Sequence, residues 1–386
     1  MSAQEAKAGR RTASRSPAIQ GFEQAPTDVQ AAGQWQPVSD RRLRVGIAGY
    51  GVCAFGAAFG FQDHPNVSVA AVADLDADQR AALANACRCE KTYASCEELI
   101  EDDSIEAVFV ATDAPSHARL AIAALKAGKH VASAVPAVFG SLADADALFE
   151  AVKASGCTYM MFETSCYHQD VHSARQMYRR GNLGRVIYTE GEYWHYFPTP
   201  LAAHGAWRTG LPPQWYITHA SAYYVGVTGG SFTEVSCLGT RSSIDHLKAE
   251  NNAFGNPFGT EVALLRTSEG GTARMAVSWD TPGRGGEQGR LRAEKGSFDG
   301  SFYAEGAGEP APLIPRPPLP PGLAAGGHGG SHGYLTNEYV EAILTNRRPL
   351  VDVAQALNMT VCGIVAHQSA MKDGQQMKIP QYSLPD

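Results

Sequence analysis

A chain of 386 residues is long enough for two domains with large apolar cores, at about 100–200 residues each. Hydrophobic residues at 44% against 18% charged describe a globular protein, and a formal charge of −7 with no basic stripe interleaved with aromatics argues against a nucleic-acid partner. Eight cysteines without a CxxC pair indicate reduced thiols in the cytoplasm rather than a disulfide framework or a metal site, and no apolar run reaches the length of a membrane span.

Residues 1–40 read as a disordered, weakly basic tail. It carries Lys7, Arg10, Arg11 and Arg15, and the polar stretch after Arg10-Arg11 is not the apolar run that a twin-arginine export signal needs. Residues 41–156 alternate strands and helices. Strands are expected at Leu43 to Ala48, Val67 to Asp74, Ile105 to Thr112 and His130 to Val135. Helical stretches are expected at Val52 to Asp63, Ala77 to Ala86, Glu97 to Glu101, His117 to Ala127 and from Leu142 to about residue 156. Such βαβ alternation predicts a doubly wound parallel sheet, the Rossmann type of α/β fold.

The pattern changes over residues 157–386, which read as an α+β domain with an open, mostly antiparallel sheet. Arg185 to Tyr196 alternates from side to side, and further strands are expected at Ser231 to Leu238, Glu261 to Thr267, Ala273 to Ser278 and Gly289 to Ala293. Residues 303–333 read as a loop, because seven prolines fall between Glu309 and Pro321 and six glycines between Gly322 and Gly333. Helices at Tyr334 to Thr345 and Val353 to Lys372 close the chain.

The first strand runs into Gly49-Tyr50-Gly51-Val52-Cys53-Ala54, a GxGxxA pattern in a strand, turn and helix context. Gly49 allows the tight turn, Gly51 lets backbone approach a pyrophosphate, and small Ala54 lets the helix pack on the strand. Asp74 stands 23 residues after Gly51 at the end of the second strand, where a carboxylate accepts both ribose hydroxyls. It would repel a 2′-phosphate, so NAD is expected over NADP. Asp76 suits the N-cap of the next helix better than Asp74 does.

The run from Val45 to Ala54, the segment Ile105 to Thr112 with Pro115 and His117, and Ala127-Gly128-Lys129-His130-Val131 together resemble the glucose-fructose oxidoreductase and inositol dehydrogenase family (Gfo/Idh/MocA). The resemblance covers residues 41 to about 372. It implies a nicotinamide domain followed by an open-faced α/β domain whose sheet often builds homodimers or homotetramers. It also implies that Thr112 and His117 lie beside the cofactor. Dehydrogenases of that family usually follow Gly-Lys-His-Val with Glu-Lys-Pro; this chain has Ala134-Val135-Pro136. Valine moves no proton, so another group must take over from the lysine.

Glu163 to Tyr167 and Tyr216-Ile217-Thr218-His219 resemble stretches of a side branch of that family, the NAD-dependent glycosidases of the α-N-acetylgalactosaminidase type, which also carry valine in place of the lysine. By this resemblance Tyr216 and His219 act at a sugar, and Arg208 and His328 match two further positions of the branch. Ile217 and Ala134 depart from it, where the branch has proline and glutamate. Histidine titrates nearest neutral pH, so His219 is the leading candidate for moving the substrate's proton, with Tyr216 and Tyr167 as relays and Arg208 and His328 as substrate contacts. Each has a plain structural alternative: a satisfied buried histidine, core tyrosines, a salt-bridging arginine, and solvated loop histidines at 328 and 332.

Three functions are compatible with these residues. The first is an NAD-dependent oxidoreductase acting on a secondary alcohol of a sugar or cyclitol. The second is a glycoside hydrolase that oxidises C3 transiently and eliminates. The third is a non-catalytic sensor of NAD and sugar.

Overall fold

The computed structural model describes residues 33–51, 54–201 and 205–385; the tail expected over residues 1–40 lies, up to residue 32, outside them. Mostly apolar, mostly buried runs form the central strands of the first sheet, as strands covered by helices on both faces must. In chain order its half of the molecule comprises β1 (Leu43–Ala48), α1 (Phe55–Ala58), β2 (Val67–Ala73), α2 (Ala77–Cys87), β3 (Thr92–Tyr93), α3 (Cys96–Ile100), β4 (Ala107–Val110), α4 (His117–Lys126), β5 (His130–Ser133), α5 (Leu142–Ser155) and β6 (Tyr159–Met161). The six strands are parallel in the order β3-β2-β1-β4-β5-β6. That order puts a crevice at the carboxyl ends of β1 and β4, where the winding reverses direction. Helix ends follow local chemistry: Asp76 caps α2, Ser95 caps α3 and Ser141 caps α5, each accepting from backbone N–H groups of the first turn.

The second half comprises α6 (Gln169–Arg179), β7 (Val186–Trp194), α7 (Thr218–Ser221), α8 (Val225–Thr228), β8 (Phe232–Arg241), β9 (Phe258–Thr267), β10 (Thr272–Ser278), β11 (Gly286–Ala293), β12 (Gly296–Phe298), β13 (Phe302–Ala304), α9 (His332–Leu344), α10 (Val353–Ala370) and β14 (Met377–Lys378). Its eight strands run β13-β12-β11-β7-β10-β9-β8-β14, antiparallel except for the β7·β10 pair. One face packs on α10; the other exposes Leu238 and Leu264, at 66% and 56%.

Several expected elements take a different form. The helix expected over 52–63 is the four-residue α1, broken from a 3₁₀ turn at Phe61–Asp63 by Gly60 at φ +73°. The parallel sheet takes its sixth strand at Tyr159–Met161, past residue 156. Residues 303–333 are largely irregular but not loose: β13 opens them, Arg316 and Leu323 are buried, and His332 is a buried first residue of α9. The apolar contacts of Phe59, Phe61, Phe109, Phe162 and Tyr339 join α1, β4, the end of β6 and α9 in one aromatic cluster, so the carboxyl-terminal part packs on the nucleotide sheet.

Helix α10 is buried nearly throughout and braces the segment 213–221, which carries Tyr216 and His219. Gly363 permits this: a Cβ there would lie 1.9 Å from the Gln214 carbonyl oxygen. Gly363→Ala is expected to cost at least about 1–3 kcal/mol through overpacking, read as a lower urea midpoint; an unchanged midpoint would show that the segment moves freely away from α10.

Candidate active site

The cofactor edge comes first in the chain. Gly49 has φ +97°, and a Cβ on it would sit 2.4 Å from the Ala111 carbonyl oxygen, so β1 and β4 approach closely there. Gly51 is left-handed at φ +65°, and among the described residues only Phe55 Cβ lies within 4 Å of its own added Cβ. The close packing expected of Ala54 falls to Gly56, whose added Cβ would lie 2.1 Å from the Gly49 carbonyl; Ala54 itself is left-handed at φ 55° and opens α1.

Asp74 comes directly after β2, partly exposed. Its Oδ2 accepts from Tyr50 N–H at 2.8 Å and its Oδ1 from Asp76 N–H at 3.0 Å, with lone pairs left for ribose hydroxyls. Thr112 Oγ1 is buried without a partner at the same edge. His117 is fully buried as the first residue of α4, its ring bridging the carbonyls of Pro136 and Thr112 at 2.9 and 3.1 Å. It therefore staples the β4 and β5 turns together. The orphaned Thr112 hydroxyl, the crowded Gly49 and the left-handed Gly51 fit a dinucleotide.

The second group centres on His219 in α7. Its Nδ1 lies 2.8 Å from Glu163 Oε1 and 3.5 Å from Glu287 Oε1, and all three side chains are buried. Burial alone would push the imidazole down, but the two carboxylates outweigh it and hold His219 up at about 9, so at neutral pH it carries a proton on each nitrogen. Burial pushes Glu163 and Glu287 the other way, and the imidazolium brings both below the usual carboxylate range. Ser165 N–H donates to Glu163 Oε1 at 2.9 Å, Ser165 Oγ–H to Glu287 Oε2 at 2.6 Å, and His168 Nε2 sits 3.2 Å from Glu287 Oε2.

An aromatic wall flanks the imidazolium. The ring of Tyr193 lies 4.6 Å from that of His219 and stacks on Tyr216 at 6.2 Å. Tyr193 Oη meets His195 Nδ1 at 3.0 Å, and burial pushes this phenol well up. Arg208 lies 4.5 Å from the ring centroid of Tyr216, and Tyr216 Oη–H donates to the Val135 carbonyl at 3.2 Å. That last bond ties the wall to the turn after β5, where Val135 replaces the expected lysine.

The structure thus gathers His219, Tyr216 and Arg208. It sets Tyr167 apart, with Arg175 over its ring at 5.8 Å and its hydroxyl buried without a partner. His328 is not a solvated loop residue: its Nδ1 lies 2.7 Å from His332 Nε2, and burial with His332 beside it lowers its pKa far below the usual histidine value. His332 is also buried, stacked 4.1 Å from Phe59 and lowered to about 4 by burial. Sequence reasoning missed Glu287, Tyr193, His195 and His168 as site residues. Glu287 enters only through strand register, as the cross-strand partner of Tyr193 on β7 and β11. Among the described residues no group of three or more His, Cys, Asp or Glu side chains is arranged to hold a metal ion.

Residues 43–163 match the Gfo/Idh/MocA model described as an oxidoreductase family with an NAD-binding Rossmann fold. A glycosyl hydrolase family 109 protein of Stenotrophomonas maltophilia is 23% identical over 342 residues, spanning 74% of this chain and 75% of that protein. Glycosyl hydrolase family 109 protein 1 of Bacteroides fragilis is 30% identical over 186 residues, spanning 45% of this chain and 40% of that one. The chain superposes on levoglucosan dehydrogenase in complex with NADH with a TM-score of 0.73 at 19% identity, covering 89% of this chain and all of that one.

Because His219 is raised above its ordinary 6.5, its proton contributes stability that is complete below pH 6.5 and lost as pH rises through 9. Glu163→Gln removes the main counter-charge of a buried cation and is expected to cost about 3–5 kcal/mol near pH 6, with the deficit shrinking toward pH 9. Urea unfolding of both proteins across that range checks this; a deficit that does not change with pH would mean that His219 is neutral.

Proposed function

The chain has the Gfo/Idh/MocA oxidoreductase fold and is homologous to the family 109 glycosyl hydrolases, and from this footing we propose that it is an NAD-dependent glycoside hydrolase working by transient oxidation and elimination. The observation that carries the reading is the buried placement of His219 Nδ1 at 2.8 Å from Glu163 Oε1 and 3.5 Å from Glu287 Oε1, two carboxylates that favour the imidazolium. Simple oxidation of an alcohol releases a proton and calls for a base. Breaking a glycosidic bond also calls for an acid beside the leaving oxygen, and an imidazolium that persists to about 9 is such an acid.

NAD at the β1 and β4 edge would supply reversible hydride acceptance, by which a sugar C3 alcohol could pass through a ketone with an acidic neighbouring C2 hydrogen. Thr112, Asp74 and the Gly49–Gly51 turn would hold the dinucleotide. The Tyr193–His195 pair accepts the proton of the C3 hydroxyl along its 3.0 Å contact. Tyr216 passes its hydroxyl proton to solvent and takes up the C2 proton in its place, beside the Arg208 guanidinium 4.5 Å from its ring centroid. His219 protonates the departing oxygen, water then adds at C1 of the unsaturated ketone and returns the proton to His219, and Glu163 and Glu287 hold the ring in place throughout. His328 and His332 close the site against α1, where His332 Nδ1 meets the Ala58 carbonyl at 3.1 Å. Tyr167 has no part in this assignment.

The plain sugar or cyclitol oxidoreductase is the second reading, supported by the fold shared with levoglucosan dehydrogenase; the two readings share the hydride step and diverge once the ketone has formed. NAD is the expected coenzyme in both, since a carboxylate at Asp74 disfavours a 2′-phosphate. We also assign the open face of the second sheet, with Leu238 and Leu264 exposed, as the contact between subunits of a homo-oligomer. The seven described cysteines are all free thiols, which supports a cytoplasmic setting. No described helix is long and apolar enough to cross a membrane.

Incubation with NAD and a panel of nitrophenyl glycosides in deuterium oxide is expected to release a sugar carrying deuterium at C2. Released sugar without deuterium would exclude elimination, and reduced coenzyme accumulating without released nitrophenol would select the oxidoreductase. His219→Gln is expected to lower kcat by roughly 10²–10⁴. The wild-type kcat/KM should fall as pH rises through about 9; a profile flat to higher pH would remove His219 as the acid. Leu264→Arg is expected to shift the protein to a smaller species in light scattering, and an unchanged mass would place the subunit contact elsewhere.

A further inference from the structure

A cavity of about 750 Å³ lies beside the 3₁₀ turn Thr164–Tyr167, and none of Glu163, Tyr193, Arg208, Tyr216, His219 or Glu287 lines it. Its volume is in the range of small-molecule sites. Tyr167, Arg175, Arg316, Trp35, Tyr334 and Glu338 are among its lining residues. Arg175 is only 4% exposed. Its Nη1 donates to the carbonyls of Cys166 and Gly226 at 2.7 and 3.0 Å, and among the described residues no carboxylate lies within ion-pair distance of it. Carbonyl dipoles orient a guanidinium but do not cancel its charge, so a buried cation of this kind is stable only with an anion or water on its remaining donors.

The second guanidinium, Arg316, is 2% exposed, lies 4.2 Å from the ring centroid of Tyr334, and donates from Nη1 to the carbonyls of Tyr167 and Gly330 at 2.7 and 2.8 Å. Glu338, a carboxylate among the cavity's lining residues, is held by both terminal nitrogens of Arg347 at 2.6 and 2.8 Å. The Tyr167 hydroxyl is buried with no partner. At one cavity, then, Arg175 is a planar cation short of an anion and Tyr167 an idle hydroxyl; a phosphate or carboxylate group satisfies both, by charge-assisted bonds and one O–H donor.

We propose that this cavity is a second binding site, distinct from the His219 centre, for a small molecule bearing a phosphate or carboxylate group, read by Arg175 and the hydroxyl of Tyr167. The site has room for a hexose-sized body as well as the anionic group. It does not depend on the assignment of glycosidase activity.

The test is titration calorimetry of the full chain, without NAD, using inorganic phosphate, glucose 6-phosphate, glucuronate and glucose. At least one of the three anions is expected to bind while glucose does not, and the phosphate and carboxylate arms distinguish the preferred group. Arg175→Gln is expected to weaken binding roughly tenfold or more, and His219→Gln to leave it unchanged. Should Arg175→Gln fail to fold, Tyr167→Phe loses no internal bond and is expected to weaken binding several-fold. No heat with any anion up to millimolar concentration would overturn the proposal. So would binding of glucose as strong as that of the anions, binding that survives both cavity variants, or binding lost in His219→Gln.

Discussion

A buried imidazole with two buried carboxylates 2.8 and 3.5 Å from its Nδ1 organises this molecule. His219 between Glu163 and Glu287 would be untenable in an apolar interior if any member stood alone, since each ion loses several kcal/mol of hydration on burial. The surrounding chain is shaped to meet that requirement. The turn at residues 164–167 points the amide and hydroxyl of Ser165 at the two carboxylates, β11 is registered so that Glu287 stands opposite Tyr193, and α10 presses the segment carrying His219 against the sheet. Gly191 takes part in the same packing, because an added Cβ there would lie 2.1 Å from the Ala220 carbonyl. The constraint therefore reaches from a protonation state to the choice of glycine in a central strand.

The link to the cofactor half is equally specific. A tyrosine hydroxyl on one side, Tyr216, donates to the carbonyl of Val135 on the other, immediately before Pro136, whose own carbonyl is held by His117. The turn that carries a proton-moving lysine in the dehydrogenases the sequence resembles has here become a backbone anchor. The groups capable of moving a proton stand instead across the crevice, in the aromatic wall and at His219.

The dinucleotide edge was legible in the sequence because its chemistry is local: Gly49, Gly51 and Asp74 sit within one βαβ unit and their spacing alone describes the turn. The doubly wound sheet and the open second sheet emerged from apolar runs and alternation in the same way. His219, Tyr216 and Arg208 were reached through motif resemblance and do come together. Glu287 was not reachable, since nothing near it in sequence distinguishes it from any other strand glutamate and only the β7·β11 pairing delivers it. Tyr167 was drawn in by its neighbours: Glu163 and Ser165 belong to the His219 group, while the tyrosine ring two residues on packs with Arg175. Composition also misjudged His328 and His332. A glycine-rich stretch suggested solvent, yet aromatic stacking on Phe59 and a bond to the Ala58 carbonyl fix His332 in the interior.

The account rests on a doubly protonated His219 at neutral pH, and neutron diffraction from crystals grown in deuterium oxide observes that directly. Deuterium on both Nδ1 and Nε2, with Glu163 and Glu287 bare, is the predicted result. A single deuterium on the ring, or one residing on either carboxylate, would contradict it and leave the site without its acid.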